Sequence, residues 1–89
     1  YIMSAEVSYW IGEPFWGLGI ATEAIRQMVE YTFYYYDIVR LYAEVFEINK
    51  ASMRALEKNG FYLEGVRRKA VLKNTILMDD YIWVKLRAW

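Results

Sequence analysis

The stretch Trp10-Ile11-Gly12-Glu13-Pro14-Phe15-Trp16-Gly17-Leu18-Gly19-Ile20-Ala21 decides how the chain folds. Strand-like alternation precedes it and helical periodicity follows it. Two glycines one residue apart at such a junction let the backbone turn tightly and aim several N–H groups at one point. The start of the helix adds partial positive charge there. That arrangement suits a phosphate or pyrophosphate. The same pair also serves a bare tight turn, so the flanking sequence has to choose between the two.

Upstream, Ala5, Val7, Tyr9 and Ile11 alternate with Glu6, Ser8 and Trp10. That period of two predicts a strand over residues 2–11, ended by Gly12, Glu13 and Pro14. Downstream the period changes to three and four. Ala21, Ala24, Ile25, Met28, Tyr31, Thr32 and Tyr35 form one face of a helix over residues 20–35, and Glu23, Arg26, Gln27 and Glu30 fill the other. Glu23 is expected in the first turns, where a carboxylate suits the dipole. The run Tyr34-Tyr35-Tyr36 is expected to pack on the sheet at the helix end. Residues 40–48 read as a second strand, with Leu41, Ala43 and Val45 pointing one way and Tyr42, Glu44 and Phe46 the other. Strand, helix, strand in this order predicts a parallel pair with a right-handed crossover.

Asn49 is a strong N-cap for a short helix over residues 50–59, with Ala51, Ala55 and Leu56 as its apolar stripe. Gly60 suits the position after its end, and Phe61 is expected to fold back beneath it. The last third reads as a hairpin of residues 62–73 and 76–87, joined near Asn74-Thr75. Threonine fits a two-residue turn poorly, so a longer loop is expected. Gly65 marks either a bulge or a close backbone approach. The fold class is therefore α/β, a mixed sheet in one continuous domain over residues 1–89.

The chain has 89 residues, with 11 basic and 11 acidic side chains. A net charge of zero gives no field to attract nucleic acid or an anionic lipid surface. There is no cysteine and no histidine. A disulfide frame, a thiolate metal site and the commonest general base are all excluded. No run approaches the ~20 apolar residues of a membrane helix. No signal-peptide pattern is visible, so a cytoplasmic protein is expected. Hydrophobic residues make up 57% and aromatics 19%, more than so short a chain can bury. This, with a start in mid-strand rhythm, points to a piece of a larger domain or to surface covered by a partner.

Taken together, five pieces resemble the C-terminal half of a GNAT N-acetyltransferase. They are Ala5 to Ile11, Trp16 to Ala24, Asn49-Lys50-Ala51-Ser52, Glu57-Lys58-Asn59-Gly60-Phe61 with Leu63 to Arg67, and Asp79-Asp80-Tyr81. The subgroup most similar acetylates the N-termini of ribosomal proteins. The resemblance implies acetyl-CoA as cofactor. It implies pyrophosphate contacts from the backbone of Trp16, Gly17, Leu18, Gly19, Ile20 and Ala21. Further contacts along the cofactor arm would come from Tyr9, Trp10 and Ile11, in the gap between the two parallel strands, and from Asn49 and Ser52. Two departures stand out: Pro14 replaces the family's usual Gln or Arg, and Leu56 stands where many relatives place a thiolate-protonating tyrosine. The family's first three strands and first two helices have no counterpart in this sequence. The domain is therefore expected to be the partial, cofactor-binding one, with its first strand's edge covered in a homo-oligomer.

Acetylation of an amine needs a proton acceptor, a polarised carbonyl and a proton for the departing thiolate. Without histidine, the acceptor must be a carboxylate or ordered water. Several relatives place a glutamate at the position of Glu6, and the ribosomal subgroup uses the serine that is Ser52 here. Backbone N–H groups near residues 7–9 are placed to polarise the carbonyl. Asp79 and Asp80 are adjacent strand residues that point to opposite faces, so no metal site is expected. The resulting reading is an N-acetyltransferase acting on a protein N-terminus or a small amine. A CoA-binding or dimerisation module without turnover is the alternative. A βαβ nucleotide-binding protein is disfavoured, because the third glycine and the Lys-Ser/Thr of a P-loop are absent.

Overall fold

The computed structural model describes residues 4–6 and 18–88. Strand β1 (Ser4–Glu6), helix α1 (Leu18–Tyr35), β2 (Arg40–Phe46), α2 (Lys50–Lys58), β3 (Tyr62–Lys73) and β4 (Ile76–Leu86) follow in order. The sheet runs β1-β2-β4-β3. β1 lies parallel to β2 with Ala5 opposite Leu41, as the strand–helix–strand order predicts. β4 is antiparallel to both of its neighbours. The predicted strand over residues 2–11 is seen at Ser4–Glu6; its other residues lie outside the described ones. β2 stops at Phe46 rather than residue 48. There Asn49 N–H turns back to donate to the Phe46 carbonyl at 2.8 Å.

One face of the sheet carries both helices. Leu41, Ala43 and Val45 are buried on it, with Ile25, Met28 and Val29 of α1 and Met53, Ala55 and Leu56 of α2. Register places Trp83 opposite Ala43 and Tyr81 opposite Val45, so both point to the same side. The other face carries Glu6, Tyr42, Glu44 and Phe46, with Asp80, Ile82 and Val84 set beside them by register.

The buried stripe of α1 is rotated from the predicted one. Val29 is buried in place of Tyr31, and Tyr31, Tyr34, Tyr35 and Tyr36 are exposed, Tyr34 at 81%. The tyrosines do not pack on the sheet. Tyr31 and Tyr34 each lie within 5 Å of the Tyr35 ring, and the run lines an open groove with Gln27 and Glu30. α1 begins at Leu18, so Glu23 falls in its second turn. There it pairs with Arg26, which also reaches Glu30 at 2.7 Å. Hydrogen bonds from Arg26, then from Gln27, lower the Glu23 carboxyl to about 2.

In α2 the buried positions are Ser52, Met53, Ala55 and Leu56; Ala51 is exposed. Gly60 takes φ 83, as its place after the C-cap Asn59 requires. Phe61 is buried and donates its N–H to the Leu56 carbonyl at 3.1 Å. The hairpin turn is tighter than predicted. Lys73 pairs directly with Ile76, and Asn74 and Thr75 adopt φ of 52 and 65. Both central residues are left-handed, the signature of a two-residue turn that matches strand twist. The register shift between Leu63 and Gly65 makes a bulge with Glu64 as the extra residue. A Cβ built on Gly65 meets no atom of the described residues within 4 Å, so the bulge and not a close approach among them accounts for it.

Candidate functional site

α1 spans Leu18–Tyr35, so the N–H groups of Leu18, Gly19 and Ile20 in its first turn have no acceptor within the helix. Gly19 sits second in this turn. A Cβ built on it meets no atom of the described residues within 4 Å. Glycine costs about 1 kcal/mol against alanine inside a helix. Among the described residues no packing explains its use, its φ is not positive, and the space beside it leaves room for a ligand to approach the backbone. Tyr9, Trp10, Ile11, Trp16 and Gly17 lie outside the described residues, as do the N–H groups near residues 7–9.

Asn49 caps α2: its side-chain oxygen accepts the N–H of Ser52 at 3.4 Å. Ser52 is therefore in the first turn of α2, buried at 8% exposure. Leu56, one turn on, is fully buried in the core and carries no proton to give. Glu6 lies on the other face of the sheet, exposed, opposite Tyr42 of β2. The two residues expected to share the chemistry thus stand on different sides: Glu6 on the open face, Ser52 on a helix of the covered one.

Glu6 does have company on the open face. Glu44 is two residues beyond Tyr42 on β2 and points the same way. Burial raises its affinity for a proton first; Asp80 raises it further and so does Glu6, while Arg67 acts against them. Arg67 Nη2 sits 2.9 Å from Asp80 Oδ2 and 3.2 Å from Glu44 Oε1. A half-buried carboxyl with raised proton affinity beside a second carboxylate suits a proton acceptor. Sequence reading placed Glu44 on this face and passed over it. Only the register that brings Asp80 and Arg67 alongside distinguishes it from a solvated strand glutamate.

The adjacent acids Asp79 and Asp80 part company. Asp80 turns to Arg67. Asp79 accepts the Lys69 N–H at 2.9 Å and pairs with Arg68 at 2.9 Å. The Lys69 hydrogen bond, more than Arg68, holds the Asp79 carboxyl below its usual range. Asp79 also links to the turn before α2. Glu47 N–H donates to the Asp79 carbonyl at 3.1 Å, and Asp79 N–H donates to Glu47 Oε1 at 2.7 Å. No group of three metal-ligating side chains occurs among the described residues.

Residues 2–62 match the family model of the acetyltransferase (GNAT) domain. The chain is 38% identical over 81 residues to the Bacillus subtilis (strain 168) protein named "Probable N-acetyltransferase YjcK", covering 91% of this chain and 45% of that one. Among solved structures it resembles the microcin C7 self-immunity acetyltransferase MccE in complex with acetyl-CoA and AMP. That likeness has a TM-score of 0.76 and 35% identity over 96% of this chain and 47% of that one. It also resembles RimL, a ribosomal L7/L12 alpha-N-protein acetyltransferase solved with coenzyme A. There the TM-score is 0.82 and the identity 26%, over 94% of this chain and 48% of that one. The chain spans about half the length of the relatives it matches.

Proposed function

The chain belongs to the GNAT acetyltransferase family, and on that premise we propose that it binds acetyl-CoA for transfer of an acetyl group to a primary amine, a protein N-terminus or a small amine. The observation that carries this reading is Gly19: a glycine in the first turn of α1, where a Cβ would meet no atom of the described residues within 4 Å and the leading N–H groups have no acceptor within the helix. The relatives solved with acetyl-CoA or coenzyme A support the same ligand.

In this reading the N–H groups from Trp16 to Ala21 hold the pyrophosphate, and Tyr9, Trp10, Ile11, Asn49 and Ser52 line the rest of the cofactor. Bound acetyl-CoA supplies the acetyl group as an activated thioester. Glu6 and Glu44 take the proton from the acceptor's ammonium form, so that a neutral amine is presented. The raised proton affinity of Glu44 suits it to that task. Ser52 Oγ would pass its proton to the departing thiolate, the role that Leu56 leaves open, and would regain one from the proton that the acylated amine nitrogen sheds. We further propose that the chain is a partial GNAT domain working in the cytoplasm, and that a second copy pairs along β1, an edge strand of the described sheet.

The test is calorimetry with CoA on the wild type and on Gly19→Val, with thermal melts of both. The wild type should bind. Gly19→Val should melt near the wild-type temperature and bind at least tenfold more weakly. Equal binding by the two, or none by either, would sink the cofactor reading. Thiol release over a panel of peptide N-termini and small amines then separates an enzyme from a CoA-binding module without turnover.

A further inference from the structure

We propose that Asp80 and Arg67 are positioning residues for Glu44, holding it in a carboxyl pair that shares one proton between Glu44 and Asp80 on the open face of the sheet. Asp80 is 1% exposed, on a face where Tyr42, Glu44 and Phe46 are only partly covered. A carboxylate so buried needs donors at both oxygens. Its Oδ2 receives Arg67 Nη2 at 2.9 Å. Its Oδ1 is shielded from water and receives no donor among the described residues. Arg67 Nη2 also serves Glu44 Oε1 at 3.2 Å, and no nitrogen of Arg67 is bonded to Asp80 Oδ1.

One guanidinium therefore faces two carboxylates, and one negative charge is in surplus. Arg67 Nη2 gathers the two carboxyls about one nitrogen, Glu44 Oε1 at 3.2 Å and Asp80 Oδ2 at 2.9 Å. A proton on Glu44, donated toward Asp80, removes the surplus charge and gives the buried acid its second donor. The charged groups facing Glu44 are Glu6 from β1, Arg67 from β3 and Asp80 from β4; both helices pack on the other face. Of the other cations near this strand, Arg40 is committed to Glu64 at 2.6 Å and Lys73 lies over the Phe46 ring at 5.6 Å. Glu64 is the extra residue of the β3 bulge. The functional weight of the pair rests on the reading of Glu44 as a proton acceptor in acetyl transfer. With Asp80 and Arg67 in place, Glu44 takes up and releases its proton above the ordinary glutamate range.

The experiment is a carboxyl carbon NMR titration of this chain labelled at Glu and Asp. In the wild type, the Glu44 signal should titrate above the ordinary glutamate range, and the Asp80 signal should respond in the same step through the shared proton. Both should also show a deuterium isotope shift, as a shared proton requires. Asp80→Asn should lower the proton affinity of Glu44 about tenfold, a shift of one pH unit. Arg67→Gln should raise it, and Arg67→Lys should restore part of the difference. Independent titration of the two signals, or no isotope shift in the unsubstituted chain, overturns the proposal even if the variants do not fold. A midpoint for Glu44 that Asp80→Asn leaves in place overturns it equally. Thiol release by full-length Glu44→Gln distinguishes the two readings. Undiminished turnover removes Glu44 from the chemistry, whereas the coupled titration stands or falls on its own.

Discussion

Asn59, the C-cap of α2, donates Nδ2 to the carbonyl oxygen of Thr22 in α1 at 2.9 Å. The same amide nitrogen donates to the Ala55 carbonyl, also at 2.9 Å. Both of its protons are used, and the second turn of α1 is tied to the end of α2. Asn59→Ala removes both bonds and should lower stability by about 1–3 kcal/mol, read from urea denaturation at constant slope. Asn59→Asp should cost more, because it turns a carboxylate toward two carbonyl oxygens. A variant as stable as the wild type would show that the helices are held by packing alone.

Thr75 is a β-branched residue at φ 65, next to Asn74 at φ 52. A left-handed conformation costs an ordinary residue roughly 1–2 kcal/mol and costs glycine almost nothing. Thr75→Gly should therefore stabilise the chain by about 1 kcal/mol. The hydroxyl's contact with the Asn74 carbonyl at 2.5 Å is exposed and offsets little of that. Thr75→Val keeps the strain and loses the hydroxyl, so it should be the least stable of the three. Thermal melts in one buffer give the ranking.

The βαβ unit and the capped helix were legible because their signals are local. Asn49 caps and Gly60 turns left-handed through their own backbones. Leu41, Ala43 and Val45 alternate toward one covering layer. What escaped the sequence depends on partners distant in the chain. Tyr31 and Val29 both fit a helical stripe, and only the angle at which α1 meets the sheet buries Val29 and exposes Tyr31. The turn is shorter than Thr75 alone predicts, because the long β3–β4 ladder compensates for its left-handed backbone. Glu44 escaped for the same reason: its chemistry comes from Arg67 and Asp80, 23 and 36 positions later.

Leu56 shows how the fold constrains one departure from the family pattern. It is fully buried between α2 and the sheet. Leu56→Ala should cost about 2–5 kcal/mol through lost contact and the cavity left behind. Leu56→Tyr would restore the family's hydroxyl, yet it adds volume to a closed core and should cost about 1–3 kcal/mol. Denaturation midpoints decide between these outcomes. A Leu56→Tyr chain as stable as the wild type would mean that the ring escapes the core toward the cofactor side.

Asp79 gives a pH dependence whose sign can be worked out. Its carboxyl is held below the usual range by the Lys69 N–H first and by Arg68 next. A lowered carboxyl contributes stability that is present above the unfolded value and is lost as pH falls through the folded one. The contact pins Lys69, which stands at φ 51 inside the register shift between Arg67 and Val71. Acidification below the ordinary aspartate range should therefore free the outer half of the hairpin while the core stays folded. Glu44 acts in the opposite sense. Its raised carboxyl weakens the fold as pH rises through the window just above the ordinary glutamate range. Global stability thus mixes two trends, and a local probe is needed. The Lys69 amide, followed by hydrogen exchange after correction for intrinsic rate, should lose protection several-fold on acidification. In Asp79→Asn it should be less protected at neutral pH and nearly indifferent to acid, since the charge that titrates is gone. Equal protection of Lys69 in both proteins at every pH would show that the bulge is held by the strand ladder and that Asp79 is a bystander.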